Sequence, residues 1–218
     1  MMLKGRVIRI FPNPSPLLAV FIPLYFILIF TLTAGDTENA LPTFTEFSKP
    51  VQNGQADVLR GVYVSNVLAL PVAQQPADNS NYISDHNDEA TQFSPASQYG
   101  NLGLLAHNHL AGKSFSKLAL GQEVRLVYGN GNVEYFVITE VLRYQALKPK
   151  DPWSSFRNLD NDEVLTAEQL FNRVYLGDHH VTFQTCIAAN GVLSWGRLFV
   201  LAMPKQADFQ HLIMQGLP

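Results

Sequence analysis

The stretch 123–147, EVRLVYGNGNVEYFVITEVLRYQAL, constrains the fold more than any other part of the chain. Two runs rich in Val, Tyr and other β-formers flank Gly129-Asn130-Gly131-Asn132. Asn-Gly accepts the positive φ angles that a tight reversal demands, so the spacing predicts a β-hairpin. Such a pair must bury one face, and the rest of the sequence offers partners of the same kind: VLRGVYV (58–64), VLALPVAQ (67–74), LGLLAHNH (102–109), HVTFQTCIA (180–188) and SWGRLFVLA (194–202). Helix signals are few. Ser94 reads as an N-cap before Pro95 with Gly100 as the stop, and Thr166 with Gln169 forms a capping box ahead of a short helix. Seven to eight short strands with one or two short helices predict a mostly β fold, a closed antiparallel-rich barrel or a sandwich.

The N-terminus adds a second constraint. Lys4, Arg6 and Arg9 precede an unbroken apolar run at 17–34. A basic flank stays on the cytoplasmic side, so the reading places everything after it outside the cytoplasm. The run sits between the length of a signal-peptide core and that of a spanning helix, and Leu32-Thr33-Ala34 matches a cleavage site poorly. The expected organisation is a signal peptide or signal anchor at 1–34, a polar linker at 35–56, a folded domain at 57–204 and a tail at 205–218. The chain is extracytoplasmic and membrane-anchored, or secreted if the segment is cleaved. A formal net charge of −3 gives no basic footprint for nucleic acid. A single cysteine excludes an internal disulfide framework.

That cysteine carries the chemistry. In a strand with period two, Val181, Phe183 and Thr185 share one face, and His180, Thr182, Gln184 and Cys186 the other. The apolar face belongs to the core, so Cys186 points away from it at the end of its strand. A thiol becomes a nucleophile as its thiolate, which calls for an imidazole or a cation nearby. His180 lies about 20 Å up the strand at roughly 3.3 Å per residue. His86 and His211 sit in polar segments. His107 and His109, after the apolar stretch 102–106, remain as partners. Arg197 interrupts the last apolar strand. It is either half of an ion pair or a cation facing the groove of Cys186. The turn Ala189-Asn190-Gly191 would lay the two strands side by side. The acidic run 160–163 lacks the spacing of a calcium loop, so no metal or other cofactor is expected.

Taken together, LLAH ending at His107, TFQTC ending at Cys186, and Arg197 in WGRLFVLA resemble the signatures of the sortase family, in the same order. The resemblance extends over about 61–202, including ALPV early in the domain and FSKLALGQEVRLVYGNG after the histidine. It implies a sortase-like closed β-barrel and a cysteine transpeptidase of the cell surface. Cys186 would be the nucleophile, His107 the acid and base with His109 as its rival, and Arg197 the oxyanion and backbone donor. Thr182 and Thr185 of the same motif would touch substrate. The implied partners are a protein with a C-terminal sorting signal and an amine from the cell wall or another protein. Phe183 stands for the family's leucine and Ala106 for its glycine. The segment 147–177 is longer than the minimal pattern, which puts Leu-Pro-x-Thr-Gly-type specificity in doubt.

Two other classes compete. One is a cysteine peptidase or hydrolase on another fold; papain-like enzymes place the cysteine at a helix start, and L,D-transpeptidases place it after Ser-His-Gly, which is absent here. The other is a non-catalytic exported β-barrel that binds a ligand or partner.

Overall fold

A computed structural model describes residues 40–206. The apolar run at 17–34, His211 and nearly all of the expected tail lie outside the described residues. No helix among the described residues is long and apolar enough to cross a membrane.

Strands β1 (Leu59–Val64), β2 (Leu68–Gln74), β3 (Ala90–Phe93), β4 (Leu102–Leu105), β5 (Glu123–Tyr128), β6 (Val133–Ala146), β9 (Val181–Ala189) and β10 (Val192–Pro204) pair in the order β10-β9-β4-β3-β2-β1-β5-β6. β6 then pairs back onto β10 from Gly196↔Gln145 to Pro204↔Phe136, closing an eight-stranded barrel with no free edge. Two pairings, β2–β3 and β4–β9, are parallel. Two short strands, β7 (Phe156–Asn158) and β8 (Val164–Leu165), continue outward from β6.

The expected hairpin joins β5 to β6, with Gly131 at φ +89° and pairing from Val127↔Val133 to Glu123↔Val137. The reversal between β9 and β10 uses the same chemistry, Asn190 at φ 53° followed by Gly191 at φ 76°. Inside the barrel, Val62, Leu104, Phe115, Leu126, Phe136, Phe183 and Val200 form one core.

Outside the barrel, helix α4 (Ala167–Tyr175) lies on the outer face of β9 and β10. Leu170, Val174 and Tyr175 pack there with Tyr144, Phe199 and Leu201. The sequence dictates its start: the Thr166 hydroxyl accepts from the Gln169 amide at 3.2 Å, and Gln169 Oε1 accepts from the Thr166 amide at 2.9 Å. Thr166→Ala removes half of that box. The expected cost is about 1 kcal/mol, read as a lower urea midpoint at unchanged slope.

The domain starts earlier than the sequence boundary at 57. Residues 44–51, expected to be linker, form helix α1 (Phe44–Val51), opened by a Thr43–Glu46 capping box. Phe47 is buried against Tyr63, and Gly61 makes room for it: a Cβ there would sit 2.9 Å from Phe47 Cζ. Lys49, Pro50 and the surrounding polar residues mask an apolar stripe only two turns long.

Two further short helices, α2 (Ser94–Ser97) and α3 (Gly112–Phe115), bring the helices among the described residues to four. In α2 the cap position is Phe93, one residue before the expected Ser94, whose hydroxyl donates to Gln75 instead. A four-residue helix such as α3 has no periodicity for a sequence reading to detect.

Candidate active site

The site forms where β4, β9 and β10 end together. Cys186 and Arg197 are direct cross-strand partners in the antiparallel β9–β10 pair. Gln184↔Phe199 and Thr182↔Leu201 follow along the same face. Opposite-face residues Val181, Phe183, Leu198, Val200 and Ala202 are all in the barrel core, as the alternation predicts. The thiol is half-buried and free.

β4 runs parallel to β9 with Leu105 beside Gln184. The pairing continues past the strand end: the Ala106 amide donates to Gln184 O at 3.3 Å, and the Thr185 hydroxyl donates to Ala106 O at 2.8 Å. One residue on, His107 leaves the barrel at the level of Cys186. Its carbonyl accepts from the amides of Leu110 and Gly112, which folds the loop back on itself. Asn108 Nδ2 donates to Leu193 O on β10 at 2.9 Å, tying the loop to the end of the cysteine hairpin.

The two candidate histidines differ in setting. The His107 side chain is 34% exposed, whereas His109 is exposed at the loop's outer edge, with ring centroids 5.5 Å apart. Asp85, itself almost fully exposed, approaches His107 Nε2 to 3.8 Å. A pair so open to water contributes little.

Arg197 makes no ion pair among the described residues. Its Nη1 donates to Ser194 O at 3.1 Å and to Gly196 O at 2.9 Å, and its guanidinium carbon sits 5.9 Å from the Phe156 ring centre. A half-buried guanidinium bound to neutral carbonyls and an aromatic ring keeps its charge uncompensated beside Cys186.

Both threonines of the motif are engaged within the fold. Thr182 is fully buried and donates its hydroxyl to Val174 O at 2.6 Å, beneath α4. Thr185 is 4% exposed and committed to Ala106 O. The first anchors the helix; the second holds the His107 strand end and lines the recess that contains Cys186. His180 is also buried, with Nδ1 2.7 Å from Asp178 O and Nε2 2.9 Å from Val174 O. It fastens the end of α4 and takes no part in the cysteine's surroundings.

Cavities flank Cys186 on both sides. A cleft of about 640 Å³ runs along the outer face of the sheet toward α4, with Gln184 and Arg197 at its floor and Phe93, Phe171 and Trp153 in its walls. A smaller recess of about 280 Å³ holds Cys186 itself with Asn108, Gly112 and Lys113. Cys186 lines the small recess and its cross-strand partner Arg197 the large aromatic-walled cleft, while His107 follows the end of β4. Sequence reasoning missed Asn108, Gly112 and Gln184. Only the small residue in LAGK and the polar insertion in TFQTC hinted at the last two.

No family model matches the chain, and no curated protein matches it. Among solved structures it is similar to sortase A of Listeria monocytogenes, at 16% identity and TM-score 0.44, covering 68% of this chain and 88% of that one. It is also similar to sortase C1 of Streptococcus agalactiae, at 14% identity and TM-score 0.45, covering 78% of each. A third is sortase C of Clostridium perfringens, solved with its C-terminal cell wall sorting motif, at 15% identity and TM-score 0.43, covering 72% of this chain and 74% of that one. At TM-scores under 0.5 these likenesses carry no argument: the closed barrel and its site stand on the strand register and side-chain positions given above.

Proposed function

We propose that the chain is a sortase-like cysteine transpeptidase acting on sorting-signal peptides outside the cytoplasm. The observation that carries this reading is the register that pairs Cys186 with Arg197, with β4 ending beside Gln184 two residues before His107. Cys186 gives its thiol proton to His107, and its Sγ attacks the carbonyl carbon of the scissile peptide bond. The developing oxyanion is met by Arg197, a fixed donor that needs no reorganisation at the moment of reaction. The tetrahedral species collapses, the C–N bond breaks, and His107 gives its proton to the departing amine. A thioester acyl-enzyme remains. An incoming amine then attacks the thioester carbonyl, His107 takes its proton, the C–S bond breaks, and the product leaves as a new amide. The residues supply every proton transfer.

The test is single-turnover acylation by Leu-Pro-x-Thr-Gly-type peptides, followed by mass spectrometry of the intact protein. Wild type gains the acyl mass. Arg197→Ala folds, keeps an alkylatable Cys186 and acylates about 10²–10³-fold more slowly, the usual loss for one oxyanion donor. Arg197→Lys recovers only part, because a point charge does not reproduce a planar fork. Acylation of Arg197→Ala at the wild-type rate would reduce the arginine to a structural role. A wild type that no such peptide acylates would leave the non-catalytic binding barrel as the better account.

A further inference from the structure

Gln184 is the residue on the cysteine face that the chemistry above leaves unused. It sits two positions before Cys186 on β9, on the same face, at the floor of the large cleft. Its carboxamide has a fixed orientation: the Tyr175 hydroxyl donates to Gln184 Oε1 at 2.5 Å. Tyr175 is 2% exposed, and burial pushes its phenol far above the ordinary range, so the hydroxyl keeps the proton that it donates here. With Oε1 occupied, Gln184 offers the cleft its NH₂ group, which has no acceptor among the described residues and is not buried. Beside it, Arg197 is a donor only. The floor of this cleft, whose walls are aromatic, aliphatic and polar in turn, therefore presents donors on the face that Cys186 shares, and those donors are matched by a row of acceptors.

An extended peptide has such a row. It advances about 3.3 Å per residue, the same rise as β9. If its scissile carbonyl lies at Cys186, the carbonyl two residues upstream lies beside Gln184. The large cleft extends to that side, whereas the small recess with Asn108 and Gly112 lies on the other. The acyl half of the substrate accordingly takes the Gln184 side.

We infer that Gln184, aimed by Tyr175, is a substrate-positioning residue whose amide NH₂ hydrogen-bonds the backbone carbonyl two residues before the bond attacked by Cys186. The inference rests on the transpeptidase reading and adds to it a register for the bound peptide. In a Leu-Pro-x-Thr-Gly peptide cleaved after threonine, that carbonyl belongs to the proline.

The experiment uses the full chain, Leu-Pro-x-Thr-Gly peptides, and the same peptides with a thioamide at the proline carbonyl, since sulfur is the weaker acceptor. Gln184→Leu keeps the size and removes the donor. It should raise KM about tenfold with kcat changed much less, while the rate of Cys186 alkylation by iodoacetamide stays at the wild-type value. Gln184→Glu, which faces the carbonyl with an acceptor, should raise KM further. Tyr175→Phe should raise it less, because the amide keeps its contact and loses only its aim. Wild type should discriminate against the thioamide, and Gln184→Leu should not. If wild type acylates and Gln184→Leu shows the wild-type KM and the same thioamide penalty, the inference falls and the transpeptidase reading stands. If wild type is acylated by none of these peptides, both fall.

Discussion

His107→Ala abolishes acyl transfer, while His109→Ala leaves a measurable fraction of it. The two rings are neighbours, so only the framework behind them separates the cases. His107 directly follows Ala106, whose carbonyl is held by Thr185 on the cysteine strand, and its own carbonyl closes the loop through Leu110 and Gly112. His109 has exposure in place of such anchoring. Loss of a general acid and base typically costs 10²–10⁴ in rate, and here the same group serves both halves of the reaction. The measurement is product formation with a peptide donor and a glycine-based amine, alongside iodoacetamide labelling to show that Cys186 is intact. If the two variants exchange behaviour, the loop presents the wrong histidine and the assignment moves by two residues.

Gly112→Ala is expected to stop the proposed acyl transfer without altering any of the groups proposed to react. A Cβ at this position would press on Thr185 Oγ1 and stand 2.7 Å from His107 O and 2.8 Å from Ala106 O. These are backbone atoms in a closed hydrogen-bonded turn, so they cannot swing aside as a flexible side chain would. The added methyl must either push α3 off β9 or displace the Ala106–His107 segment. A shift near 1 Å at a reacting group costs about 10²-fold. Overpacking of this kind typically destabilises by about 1–3 kcal/mol. The expected result is a folded protein with a lowered urea midpoint, an alkylatable thiol and at most about 1% of wild-type turnover. Turnover near the wild-type level would show that the loop absorbs the methyl and that its tight closure does not set the histidine.

The barrel was legible where local rules act alone. Asn-Gly reversals at 130–131 and 190–191 and period-two alternation at 181–186 and 198–202 depend on neighbouring residues only, and the coordinates follow them. The order of the strands was not legible. Nothing near Leu102 says that it will lie parallel to Val181.

The short turn laid the cysteine strand beside the arginine strand but did not fix which residues face each other: the Ala189↔Val192 pairing alone would set Cys186 against Trp195, and an irregularity between Val192 and Gly196 moves the partner to Arg197. The choice between His107 and His109 had no such turn behind it. Thr182 and Thr185 were named from the resemblance of their motif, which says nothing of their surroundings. Alternation assigns Thr182 to the outer face but does not show that α4 covers that face. Thr185 lies on the inward face, where its hydroxyl is spent on a strand end 79 residues earlier in the chain. The helix α1 escaped notice because Lys49, Pro50 and Gln52 weaken its signal, and its stability comes from Phe47 meeting Tyr63.

The parallel seam between β4 and β9 has a consequence for when the thiol becomes reactive. Antiparallel hairpins such as β5–β6 and β9–β10 close short loops and form early. The seam joins segments 79 residues apart in the chain (181 − 102), and contacts of such sequence separation form slowly. Cys186 and Arg197 can therefore meet within one hairpin while His107 is still remote. Until the seam zips shut, the chain carries a thiol and a cation without a proton carrier. A newly emerged or partly folded copy would be alkylatable yet unable to complete acyl exchange. Competence would arrive in a single late step with barrel closure, so that refolding followed by thiol labelling runs ahead of refolding followed by activity.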